Sequence, residues 1–257
     1  MHRLNGFARY LPGSLKRDVR RAAFQVLDLK WHLRSGLRIQ VASLSDWIIF
    51  NEIFVNGDYD AAILMAFERA QTQAKLIVLD LGANVGFFTL RCIDLLRGHD
   101  LYDLETRITA VEGNPKTHRD LLARLSMQDR IPPVNAIHGL VGRRAGRAGI
   151  TDFEIGGNNR VVVGEHEKPH VVDYIDLERL PDMQSRIDLL KCDIEGGELL
   201  FIQNYRDLLQ RTEVAVFELH DDQCDTQECL GLLQDAGFEH TRKFQRDRAL
   251  RIVHAWR

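Results

Sequence analysis

A glycine loop between an apolar strand and a helix carries the first residues that could do chemistry. Residues 76–79 are continuously apolar, which is typical of a strand buried on both faces of a parallel sheet. A helical pattern begins at Phe87. The candidate binding residues between them are Asp80, Gly82, Ala83, Asn84 and Gly86. Because glycine has no Cβ, such a loop can turn tightly and bring its backbone against a ligand.

The spacing Asp-x-Gly-x-x-x-Gly separates the kinds of ligand that this loop could bind. A dinucleotide site would need Gly-x-Gly-x-x-Gly, but Asn84 stands at the position of the second glycine. No Gly-Lys-Ser/Thr follows, which excludes a phosphate loop of the Walker type. Asp80 would repel a pyrophosphate, but it could accept hydrogen bonds from a cationic amino-acid headgroup. The pattern therefore favours S-adenosylmethionine, which carries an ammonium and a sulfonium.

Taken alone, the loop is equally compatible with an ordinary strand-to-helix turn, but a second acid follows the next predicted strand. Residues 108–111 lead into Glu112, 26 positions after the last loop glycine. In a doubly wound sheet, an acid at this place can accept hydrogen bonds from both ribose hydroxyls of an adenosine. The alternative is that Glu112 caps the helix beginning near Pro115. Gly113 and Asn114 follow it and are counted with the cofactor-binding residues.

Ionisable side chains converge at the ends of two further predicted strands. Lys191 and Asp193 are two apart in an extended segment, so their side chains share a face. A lysine in a buried strand needs a partner, which Asp193 or Glu195 could provide. Methyl transfer to a hydroxyl benefits from a base, and His220 is the natural candidate because imidazole titrates near neutral pH, with Asp193 as the alternative. The candidate catalytic residues are Asp193, His220, Lys191, Glu195 and Glu218.

Each of these residues also has a purely structural interpretation. His220 is as compatible with a hydrogen-bonding histidine at a strand end as with a base. An ion-pair network of Lys191 with Glu195 and Glu198 would fix the strand-to-helix turn without touching a substrate. Possible metal ligands are present as well: Asp193, Glu218, His220, Asp221 and Asp222. Acids are expected at these strand ends without any ion, so the sequence favours no metal site.

The order of the predicted elements indicates an α/β domain with a doubly wound, mostly parallel sheet of seven strands. The parallel strands are residues 76–79, 108–111, 136–141, 188–193 and 214–219. Residues 238–244 and 250–256 form a C-terminal antiparallel hairpin. The predicted helices after the first are residues 115–126, 197–209 and 227–236. Residues 47–55 and 57–69 are expected to close over the ligand, with Tyr59 as a lid residue that contacts it, and residues 142–170 are interpreted as an insertion that shapes the substrate pocket.

Residues 1–45 are predicted to form a basic, helical arm, and residues 46–257 a single catalytic domain. Residues 1–38 hold nine Lys or Arg and two Asp, although the whole chain has a net charge of −3. Apolar residues between Val19 and Trp31 recur with helical spacing. The arm has three possible roles: a helix packed on the domain, a surface for an anionic membrane or lipid-linked substrate, or an organellar transit peptide.

Length and composition agree with one catalytic domain inside the cell. A chain of 257 residues with 45% hydrophobic content can bury one large core. No apolar run reaches the length of a membrane span, and the N-terminus lacks the apolar region of a secretory signal. The four cysteines have neither disulfide-framework nor zinc-knuckle spacing. We therefore expect a cytoplasmic protein, with peripheral membrane contact through the arm as one possibility.

Several motifs together resemble the FkbM-type S-adenosylmethionine-dependent methyltransferases, over about residues 46–257. They are residues 80–86, Glu112 with Pro115, the short Leu-Asp element at residues 175–177, residues 191–198 and residues 218–220. The segment 191–198 (KCDIEGGE) is the most specific, because its lysine, acid and Glu-Gly-x-Glu are not shared by class I methyltransferases at large. Gly113 stands where the family often has proline and Gly197 where alanine is common, and both departures keep the loops small.

The resemblance implies a Rossmann-like class I methyltransferase that moves the S-adenosylmethionine methyl group to a hydroxyl on a sugar, glycolipid or secondary metabolite. An enzymatic alternative is methylation of nitrogen or of a nucleic acid. A nucleic-acid partner is not expected, because the body of the protein is acidic and lacks basic residues interleaved with aromatic ones. A nonenzymatic alternative is a partner subunit that binds S-adenosylmethionine without catalysis. The complete set of motifs argues against this alternative.

Overall fold

The computed structural model describes residues 29–101, 103–150, 170–245 and 250–257. Its strands are β1 (Leu29–His32), β2 (Arg38–Val41), β3 (Lys75–Leu81), β4 (Glu105–Glu112), β5 (Val134–His138), β6 (Arg147–Ile150), β7 (His170–Asp173), β8 (Ile187–Cys192), β9 (Thr212–His220), β10 (His240–Gln245) and β11 (Leu250–Trp256). Its α-helices are α1 (Leu44–Phe50), α2 (Asp60–Gln71), α3 (Phe87–Gly98), α4 (Pro115–Ser126), α5 (Glu198–Asn204), α6 (Arg206–Gln210) and α7 (Thr226–Asp235). A π-helical turn, Asn51–Asn56, continues α1, and a 3-10 turn, Leu177–Arg179, precedes β8.

The central sheet has seven strands and is mostly parallel, as the sequence predicts, and its strand order is β10-β11-β9-β8-β3-β4-β5. The five strands from β9 to β5 are parallel, and β11 pairs antiparallel with both β9 and β10. The chain runs outward from β3 to β5 and then returns to the other side of β3 to form β8. This reversal leaves a crevice at the carboxyl ends of β3 and β8, the place where open α/β sheets bind ligands.

Alternating side chains of the central strands supply two separate cores, one on each face of the sheet. On β3, Leu76 and Val78 belong to the core that includes buried residues of α2 and α3. Ile77 and Leu79 belong to the other core, with buried residues of α5, α6 and α7. Because successive residues of a strand point to opposite faces, an uninterrupted apolar strand can serve both cores at once.

Three predicted elements differ from the structure. The third strand is Val134–His138 and ends before Gly139, whose N–H makes a last hydrogen bond to the Glu112 carbonyl of β4. The predicted helix 197–209 is two helices, α5 and α6, that meet at the buried Tyr205. Residues 60–71 do not close over the ligand site, because α2 packs its apolar side against β3, β8 and β9.

The prediction of a helical arm is wrong for the part of the arm that the structure describes. Residues 29–41 form an antiparallel hairpin, in which Lys30 pairs with Gln40 and Trp31 with Ile39. Leu37, Ile39 and Val41 are buried in the core that also contains α2 and α3. The hairpin therefore belongs to the catalytic domain, while the remainder of the arm, residues 1–28, lies outside the described residues. None of the described helices is long and apolar enough to cross a membrane.

The insertion predicted at residues 142–170 is described at both ends. Its flanks pair as the antiparallel ribbon β6–β7, with Ile150 opposite His170. Leu140, Ile150 and Val172 form a small apolar cluster beneath this ribbon, against which Tyr174 packs. The ribbon thus lies next to the carboxyl end of β5, close to Glu112 at the end of β4. Residues 151–169 lie outside the described part of the chain.

Candidate active site

A cleft of about 710 Å³, including its open mouth, lies at the carboxyl ends of β3, β4 and β8. Six of the residues proposed from the sequence line it: Gly82, Asn84, Glu112, Gly113, Asp193 and Glu195. Its apolar wall comes from Val111, Leu140, Val141, Ile150, Ile194 and Leu200. The cleft is thus polar at the loop and strand ends and apolar on the side of the β6–β7 ribbon, a combination that suits a nucleoside.

Gly82 is required by packing against β8 rather than by room for a ligand, which corrects the expectation from the sequence. Its φ of +69° lies in the left-handed region, and an added Cβ would stand 1.7 Å from the carbonyl oxygen of Asp193. The loop is tied to β4 as well, because the N–H groups of Gly82 and Ala83 both donate to the Val111 carbonyl at 3.0 and 2.9 Å. The loop conformation is therefore fixed by its two neighbouring strands before any ligand binds.

Asp80 is buried and does not line the cleft, so its role as an acceptor for the ligand's headgroup stays a prediction. Its side chain is completely buried, and its Oδ2 accepts a hydrogen bond from the Thr89 hydroxyl at 2.8 Å. Its Oδ1 has no hydrogen-bond partner and lies 3.8 Å from Lys191 Nζ. Burial raises the pKa of Asp80, and the Lys191 charge and the Thr89 hydrogen bond oppose this shift. Asp80 therefore links β3 to α3 and β8 beneath the loop.

Lys191 is a buried cross-link between the glycine loop and the end of β8. Its Nζ donates to the Gly82 carbonyl at 2.6 Å and lies 3.2 Å from Asp193 Oδ2, as the predicted pairing requires. Burial would lower the pKa of Lys191, but the charges of Asp193, Asp80 and Glu218 outweigh it and raise the pKa above its ordinary value. The ammonium therefore stays charged at neutral pH, and the lysine positions the loop instead of exchanging protons.

Glu112 holds the ends of two loops and still faces the cleft. Its Oε2 accepts from the Asn84 N–H at 2.9 Å, and its Oε1 accepts from the Asn114 N–H at 2.7 Å. Burial raises the pKa of Glu112, while these two backbone hydrogen bonds oppose the shift. A carboxylate has about four lone-pair sites, so acceptor capacity remains for two ligand hydroxyls. The helix-capping alternative does not hold, because the Asn114 side chain caps α4.

The other proposed cofactor residues shape the loops without lining the cleft. Asn114 is buried, and its Oδ1 accepts from the N–H groups of Lys116 and Thr117 at the start of α4. Ala83 is buried in a small cluster with Ala110 and Leu121. Gly86 precedes α3 with a φ of +88°, and a Cβ there would stand 2.5 Å from Leu121 Cδ1. Their contribution to ligand binding is thus through backbone shape.

Asp193, Glu195 and His220 come together at the ends of β8 and β9, and one polar atom from each lies within 4.8 Å of the others. His220 Nε2 is 3.5 Å from Glu195 Oε2, and His220 Nδ1 is 4.0 Å from Glu198 Oε1. Glu195 reaches this position from a left-handed backbone conformation, with a φ of +55°. The sequence therefore identified this group correctly as neighbours, because each residue lies at or just after a strand end.

Burial and crowding of carboxyl groups disfavour the charged forms of the glutamates in this group. Burial, with the charges of Asp193, Glu198 and Glu218, raises the pKa of Glu195 to about 9. Burial and Asp193 also raise the pKa of Glu198 to about 8, although its carboxylate accepts the N–H groups of Ile194 and Gly196. Both glutamates therefore favour the protonated form at neutral pH unless a positive charge is bound nearby.

Glu218 and Tyr59 form a buried pair behind the cleft, so Tyr59 is not a lid residue. The Tyr59 hydroxyl donates to Glu218 Oε1, and the ring packs edge-to-face against Phe88. Both side chains are buried, and neither lines the cleft. Glu218 acts on the site through its charge, which helps to raise the pKa of Lys191. Its place two residues before His220 on β9 explains why the sequence grouped it with the catalytic candidates.

Sequence reasoning missed several residues that complete the site. Thr89, on α3, holds Asp80, and nothing in its surroundings along the chain distinguishes it. Tyr174 lines the cleft, and the Ile-Asp-Leu element directly after it was the available signal. Glu198 was assigned to a structural network, and it does hold the turn between β8 and α5 while also lying beside His220.

Comparison with known proteins identifies the family of this chain. The family model for the methyltransferase FkbM domain matches residues 80–247, which contain the glycine loop, Glu112 and the ends of β8 and β9. The methyltransferase sdnD of Sordaria araneosa is 25% identical over 239 residues, which are 79% of this chain and 85% of the relative. The solved METTL16 MTase domain has a TM-score of 0.51 and 12% identity, with 100% of this chain and 96% of that one covered, and it shows a shared fold. The chain belongs to the FkbM family of methyltransferases.

Proposed function

We propose that the protein transfers the methyl group of S-adenosylmethionine to a hydroxyl oxygen of a small-molecule or glycan acceptor. The observation that carries this proposal is the continuity of the cleft, which extends from Glu112 at one side to Asp193 and Glu195 at the other. A ligand bound along it would have a ribose at the acid of β4 and its reacting end at the carboxyl and imidazole groups of β8 and β9. S-adenosylmethionine has these two parts in this order.

The residues of the cleft fit the chemical groups of this cofactor. Glu112 offers acceptor capacity to two ribose hydroxyls beyond the backbone N–H groups that it already holds. The apolar wall beside it, including Leu140 and Ile150, would cover an adenine ring. Asp193, whose side chain is 24% exposed, and the neighbouring carboxyl groups favour the ammonium and sulfonium charges. When bound, the cofactor supplies the electrophilic methyl group, and these residues hold and orient it.

The acceptor would approach beside the end of β9, where an open depression of about 840 Å³ adjoins the cluster. The depression is lined by Asp221, Asp222, Gln223, Cys224, Asp225, Thr226, Gln227 and Arg251. The three carboxylates of this lining outnumber its one arginine, Arg251, which pairs with Asp221, so the lining has a net negative charge and would repel phosphates. This lining favours a neutral polyol or hydroxylated metabolite over a nucleic acid. His220 and Asp193 are the two groups near the acceptor side that could take the hydroxyl proton.

Calorimetry with S-adenosylmethionine, followed by an assay for S-adenosylhomocysteine release, would test the proposal. Release is expected with hydroxylated acceptors such as sugars, glycolipids or polyketides, and not with amines or nucleic acids. Asp193→Asn should lower turnover, whereas Asp207→Asn, on the exposed side of α6, should not. Release with amine or nucleic-acid acceptors alone would replace O-methylation by the other enzymatic alternative. Binding of the cofactor without release from any acceptor would support a noncatalytic partner subunit.

A further inference from the structure

The cluster of Asp193, Glu195 and His220 has the geometry of three metal ligands. Each residue offers one donor atom, and the three donors lie within 4.8 Å of one another. Ligands of a single octahedral ion about 2.1 Å away are spaced about 3 to 4.2 Å apart, so small side-chain rotations would bring all three to one centre. The 3.5 Å between His220 Nε2 and Glu195 Oε2 already falls in this range.

A second observation is that polar atoms of the cluster are buried without hydrogen bonds. The side chain of His220 is nine-tenths buried, and its Nδ1 has no hydrogen-bond partner. Its other nitrogen is directed towards Glu195, whose Oε2 is also buried without a hydrogen bond. Buried polar groups in native proteins are almost always satisfied, so each exception requires an explanation. An ion bound by His220 Nε2 and the two carboxylates would give the Glu195 oxygen a partner, while His220 Nδ1 faces Glu198 Oε1 at 4.0 Å.

The charges around the cluster also call for a cation. Four carboxyl groups meet there: Asp193, Glu195, Glu198 and Glu218. The ammonium of Lys191 is directed away from His220, because it is held by the Gly82 carbonyl and by Asp80 and Asp193. Lys191 therefore compensates mainly the loop side of the site, and among the described ion pairs Glu195 and Glu198 are each paired only with His220.

We propose that Asp193, Glu195 and His220 bind a divalent cation of the Mg²⁺ or Mn²⁺ kind. Two carboxylates and one imidazole are suitable ligands for such an ion, and its remaining positions would keep water or take an oxygen of the acceptor. The ion would lie at the edge of the cleft, since Asp193 and Glu195 both line it.

The role of this ion in methyl transfer rests on the proposed function, whereas binding of the ion does not. An acceptor hydroxyl bound to the cation would lose its proton to solvent more readily, and the resulting oxygen would be held in place for attack on the methyl group. The methyl group then passes from the sulfonium sulfur to that oxygen, and the cofactor leaves as a neutral thioether. In this arrangement His220 is a ligand, and no side-chain base is required.

Titration of the full, EDTA-stripped chain with Mn²⁺, followed by electron paramagnetic resonance of the free ion, would test the site directly. We expect one saturable site that Mg²⁺ competes for. Glu195→Gln and Asp193→Asn should each lower the Mn²⁺ affinity at least about tenfold, because each removes a ligand. The matched control is Asp207→Asn, which removes an exposed carboxylate of α6 outside the cluster and should leave the affinity unchanged.

Two results would overturn the inference. One is the absence of a saturable site below millimolar Mn²⁺ in the folded wild-type chain. The other is an unchanged Mn²⁺ affinity in Glu195→Gln and Asp193→Asn, both with wild-type circular dichroism. An equal loss of affinity in Asp207→Asn would count against the site as well. Measuring S-adenosylmethionine binding in EDTA distinguishes failure of the metal-site inference from failure of the proposed function. Cofactor binding without Mn²⁺ binding would remove the metal site alone.

Discussion

Replacement of Glu112 by glutamine should weaken S-adenosylmethionine binding while leaving the domain folded. The carboxylate uses one lone-pair site of each oxygen for the backbone, at 2.9 Å from the Asn84 nitrogen and 2.7 Å from the Asn114 nitrogen. The remaining capacity faces the cleft and would accept both ribose hydroxyls. Glutamine keeps one acceptor oxygen, but its NH₂ group cannot accept from a hydroxyl or from a backbone N–H.

The expected loss of binding free energy is about 1.5–3 kcal/mol, the value of a hydrogen bond to a charged group. This corresponds to roughly ten- to 150-fold in the dissociation constant. One backbone N–H loses its acceptor as well, which should lower the free energy of unfolding by about 1–3 kcal/mol. Calorimetry with the cofactor and chemical denaturation measure the two effects separately.

Glu105→Gln is the matched control, because Glu105 lies at the opposite end of the same strand, where it is exposed and paired only with Arg107 among the described ion pairs. An exposed pair of this kind contributes at most about 1 kcal/mol to stability and should not affect the cofactor. The reasoning would be refuted by a folded Glu112→Gln protein that binds S-adenosylmethionine within twofold of wild type. An equal loss of affinity in Glu105→Gln would refute it too.

Three further outcomes are expected. In denaturation experiments, Gly82→Ala should lower the free energy of unfolding by at least about 2 kcal/mol, because the alanine would combine a positive φ with a clash at a backbone oxygen. The control is Gly231→Ala, at an exposed position of α7 with open space around it, which should raise the free energy of unfolding by about 0.5–1 kcal/mol. Burial lowers the pKa of His254, so the unfolded state binds more protons below pH about 6.5; stability should fall as the pH drops below that value, and less so in His254→Gln. Deletion of residues 1–28, which hold six Lys or Arg, should abolish any salt-sensitive binding to anionic vesicles without unfolding the domain, as vesicle flotation would measure. Deletion of residues 1–41 should destabilise the domain, because the hairpin is part of its core, and thermal melts would measure this loss.

The sequence predicted the parts of the site that depend on short-range geometry. Lys191 and Asp193 are two residues apart on extended backbone, which places them on one face, and the structure brings their charged atoms to 3.2 Å. The positions of Gly82 and Glu112 also follow from local signals, because each lies just after a strand. Such residues could be assigned to the cleft without knowledge of what packs around them.

The sequence could not predict features set by distant contacts. Asp80 is held outside the cleft by Thr89, on the next helix, and by Lys191, more than one hundred residues later. Tyr59 is also kept from the ligand site by a distant residue, because its hydroxyl donates a hydrogen bond to Glu218. In the N-terminal segment, apolar residues at helical spacing continued as far as Trp31, but pairing with Ile39 and burial in the domain core make this part a strand. Tertiary contacts override local periodicity in each case.

The division of charge in the site gives the proposed reaction a direction. The ammonium of Lys191 contacts the loop carbonyl, Asp80 and Asp193, so its charge stabilises the contact between β3 and β8. A cationic ligand on the cleft side would favour the charged forms of Glu195 and Glu198 and would be attracted to them in a weakly screened environment. Methyl transfer converts the sulfonium to a neutral thioether, so this attraction weakens at the moment the product forms. The same electrostatic arrangement would therefore favour binding of the cofactor and release of its product.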